Sequence, residues 1–234
     1  MIKYFCVELL IYIIKRDFIL TQENDNKILA LEYLKEKIIT CEMPPGSIIK
    51  IEEIAEILKV SKTPVREALI ELQYDGYVTI IPRKKTVVSK ISLQDLRNIY
   101  DARTLIETYI IQSLTPEEVE NNRDELLNLL KKWQEINISG NSKNEYAEFL
   151  KEDLNFHKSI IKFSSNPHLT RYCKELIYKS QRFWYMALFN NDLRKVREDH
   201  IKILDFILQN KTKEAASCLK SHISISKALS ILSD

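Results

Sequence analysis

The chain has 234 residues, 45% hydrophobic and 29% charged, which is enough to bury one large core or two smaller ones and excludes disorder as its main state. Three Gly and six Pro supply too few turns for a barrel or sandwich of many short strands, and no glycine-rich nucleotide cradle can be assembled from them, so a mainly α class is expected. Lys+Arg 35 against Asp+Glu 33 leaves +2, which excludes a polybasic coat over the whole surface and leaves a local basic patch open.

Cys6, Cys41, Cys173 and Cys218 are far apart and form no CxxC, so neither a zinc ribbon nor a disulfide framework is indicated and the expected location is cytoplasmic. The apolar stretch Met1 to Ile14 resembles a secretory signal only superficially. Glu8 interrupts it, no small-x-small cleavage site precedes Lys15-Arg16-Asp17, and its longest uncharged run, Leu9 to Ile14, cannot span a bilayer core of about 30 Å. Residues 1-26 are therefore read as an N-terminal extension or packing helix, against a signal or anchor, with a mis-assigned start as a further reading, and no membrane partner is expected.

Residues 27-90 alternate short elements with turn signals. Ile28, Leu31, Leu34, Ile38 and Ile39 recur at helical spacing after Asn26, a suitable N-cap, and predict a helix over 27-40 that Pro44-Pro45-Gly46 ends. A short extended piece at Ile48 to Ile51 precedes a second helix, Glu52 to Leu58, packed through Ile54, Ala55 and Leu58. After a tight turn at Val60-Ser61, Thr63 as N-cap with Pro64 at the first helical position starts a third helix that runs to Tyr74. Its core face is Val65, Ala68, Leu69 and Leu72, and Gly76 supplies a left-handed end. Tyr77 to Ile81, a basic turn at Arg83, Lys84 and Lys85, and Thr86 to Ser89 then form a two-stranded ribbon with a positive tip.

Three helices followed by a ribbon make a winged helix-turn-helix. Lys62 and Arg66 flank the start of the third helix, where free N–H groups also favour phosphate, and Arg83, Lys84 and Lys85 sit on the wing. Solvated basic residues on a small helical domain would give the same charge count, but here the charges collect at two tips of one architecture. Residues 46-89, above all the string Val60-Ser61-Lys62-Thr63-Pro64-Val65-Arg66-Glu67-Ala68-Leu69 with Leu72, Gly76 and Tyr77, resemble the DNA-binding domain of the GntR family of bacterial transcription regulators. The resemblance implies that Lys62, Thr63, Arg66 and the wing residues contact operator DNA, and that the protein is a homodimer on a palindromic site. The family usually carries Arg where Lys62 stands, and an ammonium cannot make the bidentate guanine contact as well. It also usually carries glycine on the wing where Lys85 stands.

From residue 91 to 234 turn signals thin out into long helices, and a short joint near Lys90 to Ser92 reads as stiff. Ser92 with Asp95 is a capping-box-like start for a long helix that carries Leu96, Ile99, Arg103, Ile106 and Ile110 on one face. Further helices are predicted at 116-136, 143-163, 167-189, 194-209 and 212-231, and an all-α bundle is the expected architecture.

Asp153 and His157 are four apart among Phe149, Leu150, Ile160 and Ile161, so both project inward. His200 and His222 stand eleven residues either side of Lys211 and, in an antiparallel pair, lie at the same height. Three imidazoles and a carboxylate in a bundle interior suit a divalent transition metal, while an internal hydrogen-bonded pair and packed core histidines fit the same spacings. Asp153-x-x-Phe156-His157, Asn166-x-x-Leu169, Glu198-Asp199-His200, Ala215 and His222-Ile223, with Arg103-x-x-x-Glu107, resemble the FCD effector-binding domain of the FadR-like branch of GntR regulators. That resemblance implies Asp153, His157, His200 and His222 as ligands of a metal such as zinc or nickel. His168, in an apparent helix start, stays outside the set.

The combined expectation is a regulator, with repression as one outcome and activation another, controlled by a small anionic metabolite, a carboxylate, that fills open metal positions. Arg103 and, more weakly, Arg182 would pair with its charge, against a surface salt bridge for either. A metal sensor without organic effector is the alternative. A metal-dependent hydrolase fits worst, for want of a further buried carboxylate as base.

Overall fold

A computed structural model of the chain describes residues 24–138, 143–186 and 193–224. Of the expected N-terminal extension only residues 24–26 fall within it, and they are helical, so Asn26 lies inside the first helix, α1, helical over 24–39, rather than capping it. The chain splits into two compact units at Lys90/Ile91. Among the described residues no helix is long and apolar enough to cross a membrane.

The first unit is the winged helix-turn-helix. After α1 come β1 (Ile48–Ile49), α2 (Ile51–Leu58), α3 (Lys62–Tyr74), β2 (Val78–Ile81) and β3 (Lys85–Val88). Leu34, Ile38, Ile54, Ala55, Val65, Ala68, Leu69, Leu72, Tyr77, Val78 and Val88 are buried and form its core.

Three local details differ from the sequence reading. The turn between α2 and α3 is made by Lys59, held at φ 56°, with the Val60 N–H donating to Ala55 O at 3.0 Å. Ser61 takes the N-cap in extended backbone and Thr63 sits one position inside α3; Pro64 then falls in the first turn, where its missing N–H still costs no helical bond. The ribbon is the larger part of a three-stranded sheet of order β1-β3-β2, because the extended Ile48-Ile49 pairs with Val87 and Thr86 on the open edge of β3.

The end of α3 follows expectation. Gly76 adopts φ 79°, its N–H donates to Gln73 O, and the N–H of the buried Tyr77 donates to Leu72 O at 2.8 Å, the paired bonds of a Schellman stop. At the wing, Lys84 N–H donates to Ile81 O across Pro82-Arg83, and Arg83 sits at φ 57°. Proline first and positive φ second is the type II arrangement, which makes Arg83 an unusual occupant of a glycine position. Lys85 belongs to β3 and pairs with Ile81.

The second unit is all α among its described residues: α4 (Leu93–Gln112), α5 (Pro116–Asn121), α6 (Arg123–Glu135), α7 (Lys143–Lys162), α8 (Pro167–Met186), α9 (Leu193–Leu208) and α10 (Thr212–His222). The Ser92/Asp95 capping box starts α4 as expected. The helix predicted over 116-136 is two helices, broken at Asn122, whose side-chain amide donates to the Glu118 carbonyl at 2.7 Å and so competes with the backbone ladder. Among the described residues the last helix, predicted over 212-231, ends at His222; residues 187–189 and 225–231 of the predicted helices lie outside the described residues. Asn210, at φ 59°, turns α9 into α10 about Lys211. Trp133, Phe149, Phe156, Ile160, Ile177, Ile203, Leu204 and Leu219 are buried in the common core of these helices.

Candidate metal centre and candidate nucleic-acid face

In the helical unit α7, α9 and α10 bring their polar residues to one point. One ligand atom from each of Asp153, His157, His200 and His222 lies within 4.8 Å of the others. His200 Nε2 stands 3.0 Å from His222 Nε2, which is 3.3 Å from His157 Nε2. Asp153 Oδ1 is 3.5 Å from His200 Nε2 and 3.9 Å from His157 Nε2. Donors about 2.1 Å from a common ion must be spaced by about 3.0 to 3.4 Å, so the cluster has nearly the dimensions a transition metal requires.

The outer nitrogens show which way the lone pairs face. Glu107, on α4, accepts from His157 Nδ1 at 2.6 Å through Oε2 and from Arg103 Nε at 2.7 Å through Oε1. Burial pushes the Glu107 carboxyl up, but the Arg103 and His157 charges and hydrogen bonds overturn this and hold it at about 2. Glu107 is thus ionised and can only accept, so Nδ1 of His157 must be the donor, and in the neutral ring that leaves the Nε2 lone pair facing the centre. Asp199 Oδ2 faces His222 Nδ1 at 3.6 Å and is itself held by Lys195 at 2.9 Å. Burial, with the neighbouring His157, outweighs Asp199 and keeps His222 below the ordinary imidazole range, in its neutral, ligating form. The His200 ring stacks on Phe156 with centroids 3.8 Å apart and meets the edge of Trp133 at 4.1 Å, which fixes its orientation. The donor set and its spacing fit a divalent transition metal.

Arg103 is 3% exposed and Glu107 fully buried. Besides Glu107, Arg103 donates through Nη1 to Ser180 Oγ at 2.7 Å, while its Nη2 is buried with no hydrogen-bond partner. It is therefore no surface salt bridge. Arg182 is also buried, against expectation for a surface ion pair. His168 lies exposed in the first turn of α8, which Asn166 Oδ1 caps by accepting from the His168 N–H at 3.0 Å. Glu107 and Asp199 were visible in the sequence only as parts of motifs. The available signal for Glu107 was its i,i+4 spacing from Arg103 on an otherwise apolar helix face, where a lone charge is not tolerated.

In the first unit Lys62, Thr63 and Arg66 are exposed at the start of α3, and Arg83, Lys84 and Lys85 are exposed at the wing. Lys62 pairs with Glu52 of α2 at 2.8 Å. That pair is exposed and screened, and contributes little to folding.

Comparison with known proteins agrees with both halves. Residues 98–224 match the FCD domain, and residues 30–88 match bacterial regulatory proteins of the gntR family. The chain is similar to the Nta operon transcriptional regulator of Aminobacter aminovorans, 29% identical over 184 residues that cover 76% of this chain and 82% of that one. It is similar to the gluconate operon transcriptional repressor of Bacillus licheniformis, 27% identical over 192 residues covering 80% and 76%. Among solved structures, E. coli McbR/YncC shares the fold with a TM-score of 0.71 at 22% identity, over 89% of this chain and 97% of that one.

Proposed function

The chain belongs to the gntR family of bacterial regulatory proteins, carries an FCD domain and is a DNA-binding transcriptional regulator rather than an enzyme, and on that premise we propose that a small carboxylate metabolite, bound beside a metal in the helical unit, controls its operator binding. The observation that carries this is the convergence of His157, His200 and His222 Nε2 with Asp153 Oδ1 in a buried interior. Zinc or nickel is the ion that imidazole-rich donor sets favour, and it would supply Lewis acidity toward an anionic ligand. The chain's own residues do the rest: Glu107 and Asp199 orient two of the imidazoles, and the unpartnered Arg103 Nη2 offers an N–H to a carboxylate, with Arg182 as a second buried cation. That orphan donor favours an organic effector over a pure metal sensor, because a buried N–H without a partner costs about 1–3 kcal/mol until something fills the space.

On the DNA side Lys62, Thr63 and Arg66 enter the major groove on α3 while Arg83, Lys84 and Lys85 hold the backbone from the wing. The protein acts as a cytoplasmic homodimer on a palindromic operator, and an effector that prefers one spacing of the two reading heads shifts affinity by that preference. Repression is the favoured outcome, as in the gluconate operon relative's name. The test is metal analysis of the purified protein together with operator binding. One zinc or nickel per chain, lost in His200→Ala, supports the reading; a stoichiometric metal retained in that variant refutes the site. DNA binding that responds to metal alone and to no carboxylate would select the sensor.

A further inference from the structure

The outward face of α3 carries an apolar residue where the DNA would lie. Thr63, Arg66, Ile70 and Tyr74 recur at i, i+3, i+7 and i+11, so they form one line along the helix, and all four are exposed, Ile70 at 63%. Three of the polar residues beside that line are engaged within the unit itself, while Glu67 is exposed. Glu71 pairs with Lys27 at 2.7 Å, Gln73 Oε1 accepts from the Ile80 N–H at 2.9 Å, and Lys62 pairs with Glu52. The side chains on the line ahead of Tyr74 are Thr63, Arg66 and Ile70. A single exposed isoleucine is ordinary, but one that continues a line begun by the arginine at a helix start stands where a base edge would be read.

We infer that Ile70 is a specificity-determining residue that packs on the C5-methyl group of a thymine in the operator half-site. This role for Ile70 rests on the reading of α3 as the recognition helix. Ile70 lies four residues beyond Arg66, about 6 Å along the axis at 1.5 Å per residue. That is under two base-pair steps at about 3.4 Å each, so the thymine falls within two pairs of the base that Arg66 contacts. Isoleucine has no donor or acceptor, and in the major groove the thymine methyl is the apolar group that distinguishes one base pair from the other three.

The test uses the full-length protein. Operator duplexes are selected from a random library, and affinity is then measured on the selected duplex with each thymine in turn replaced by deoxyuridine, which removes only the methyl. The wild-type protein should lose about fourfold per half-site at one thymine, the worth of burying one methyl-sized group. Ile70→Ala, on an exposed helix position where alanine is well tolerated, should bind the thymine and deoxyuridine duplexes equally. Arg66→Ala is measured in parallel. If it binds with unchanged affinity, the recognition helix is wrongly assigned and the Ile70 inference falls with it. If Arg66→Ala loses binding while no thymine within two pairs of its contact discriminates the methyl, or while Ile70→Ala keeps the discrimination, the Ile70 inference alone is overturned.

Discussion

Glu107→Gln tests whether the α4 carboxylate orients the metal centre or merely fills the core. The substitution keeps shape and removes the charge that faces both Arg103 at 2.7 Å and His157 at 2.6 Å. It leaves a buried guanidinium without its counter-charge, hydrogen-bonded to Ser180 and, at best, to a neutral amide oxygen. Stranding a buried charge in this way costs on the order of 3 kcal/mol. For a helical unit of this size that is a fall in Tm of roughly 10 °C. The amide can also present its NH2 to His157 and permit the wrong tautomer, turning the Nε2 proton toward the centre, so metal affinity should drop about 10- to 100-fold. Calorimetric zinc titration and thermal unfolding of the metal-free protein measure the two effects separately. The double variant Arg103→Met with Glu107→Gln restores part of the stability by removing the stranded charge and leaves metal affinity low. The reasoning fails if Glu107→Gln binds zinc as the wild type does, or if the double variant recovers metal binding together with stability.

Other outcomes follow from single contacts. Trp133 touches the His200 ring at 4.1 Å, so zinc should change tryptophan emission in Trp184→Phe and leave it nearly unchanged in Trp133→Phe; equal responses would place the ion elsewhere. Phe156→Ala removes the ring stacked on His200 and should cost about 3–5 kcal/mol by denaturant unfolding, since the site is fully buried. Lys59→Gly relieves the left-handed turn after α2 and should raise the unfolding temperature of the first unit, by the equivalent of about 1 kcal/mol, without altering DNA affinity. Arg83→Gly should relieve the same strain at the wing and still weaken operator binding, with a shallower salt dependence, because one phosphate contact is lost.

Most of the architecture was legible because its signals are local. Asp75-Gly76 after an apolar face dictates a Schellman stop, and Ser92 with Asp95 dictates a capping box, whatever the rest of the chain does. The metal cluster was legible through a longer-range regularity. The equal separations of His200 and His222 from Lys211 become a 3.0 Å approach once α9 and α10 run antiparallel, and Asp153 with His157 needed only the period of α7. What escaped were competitions that a linear pattern does not rank. Asn122 could continue a helix or bond back to Glu118, and the 116-136 prediction missed the break. Ser61 and Thr63 both suit an N-cap, and the backbone chose the first. The pairing of Ile48-Ile49 with β3 and of Lys62 with Glu52 depends on tertiary proximity, as does the bridge from Arg103 through Glu107 to His157.

The central claim, an effector pocket built on the metal centre, is tested most directly by a small-molecule thermal-shift screen of zinc-loaded protein repeated on His200→Ala. The account predicts that carboxylates raise the Tm of the wild type and that these shifts vanish in the variant; carboxylate hits that persist undiminished in His200→Ala would contradict it.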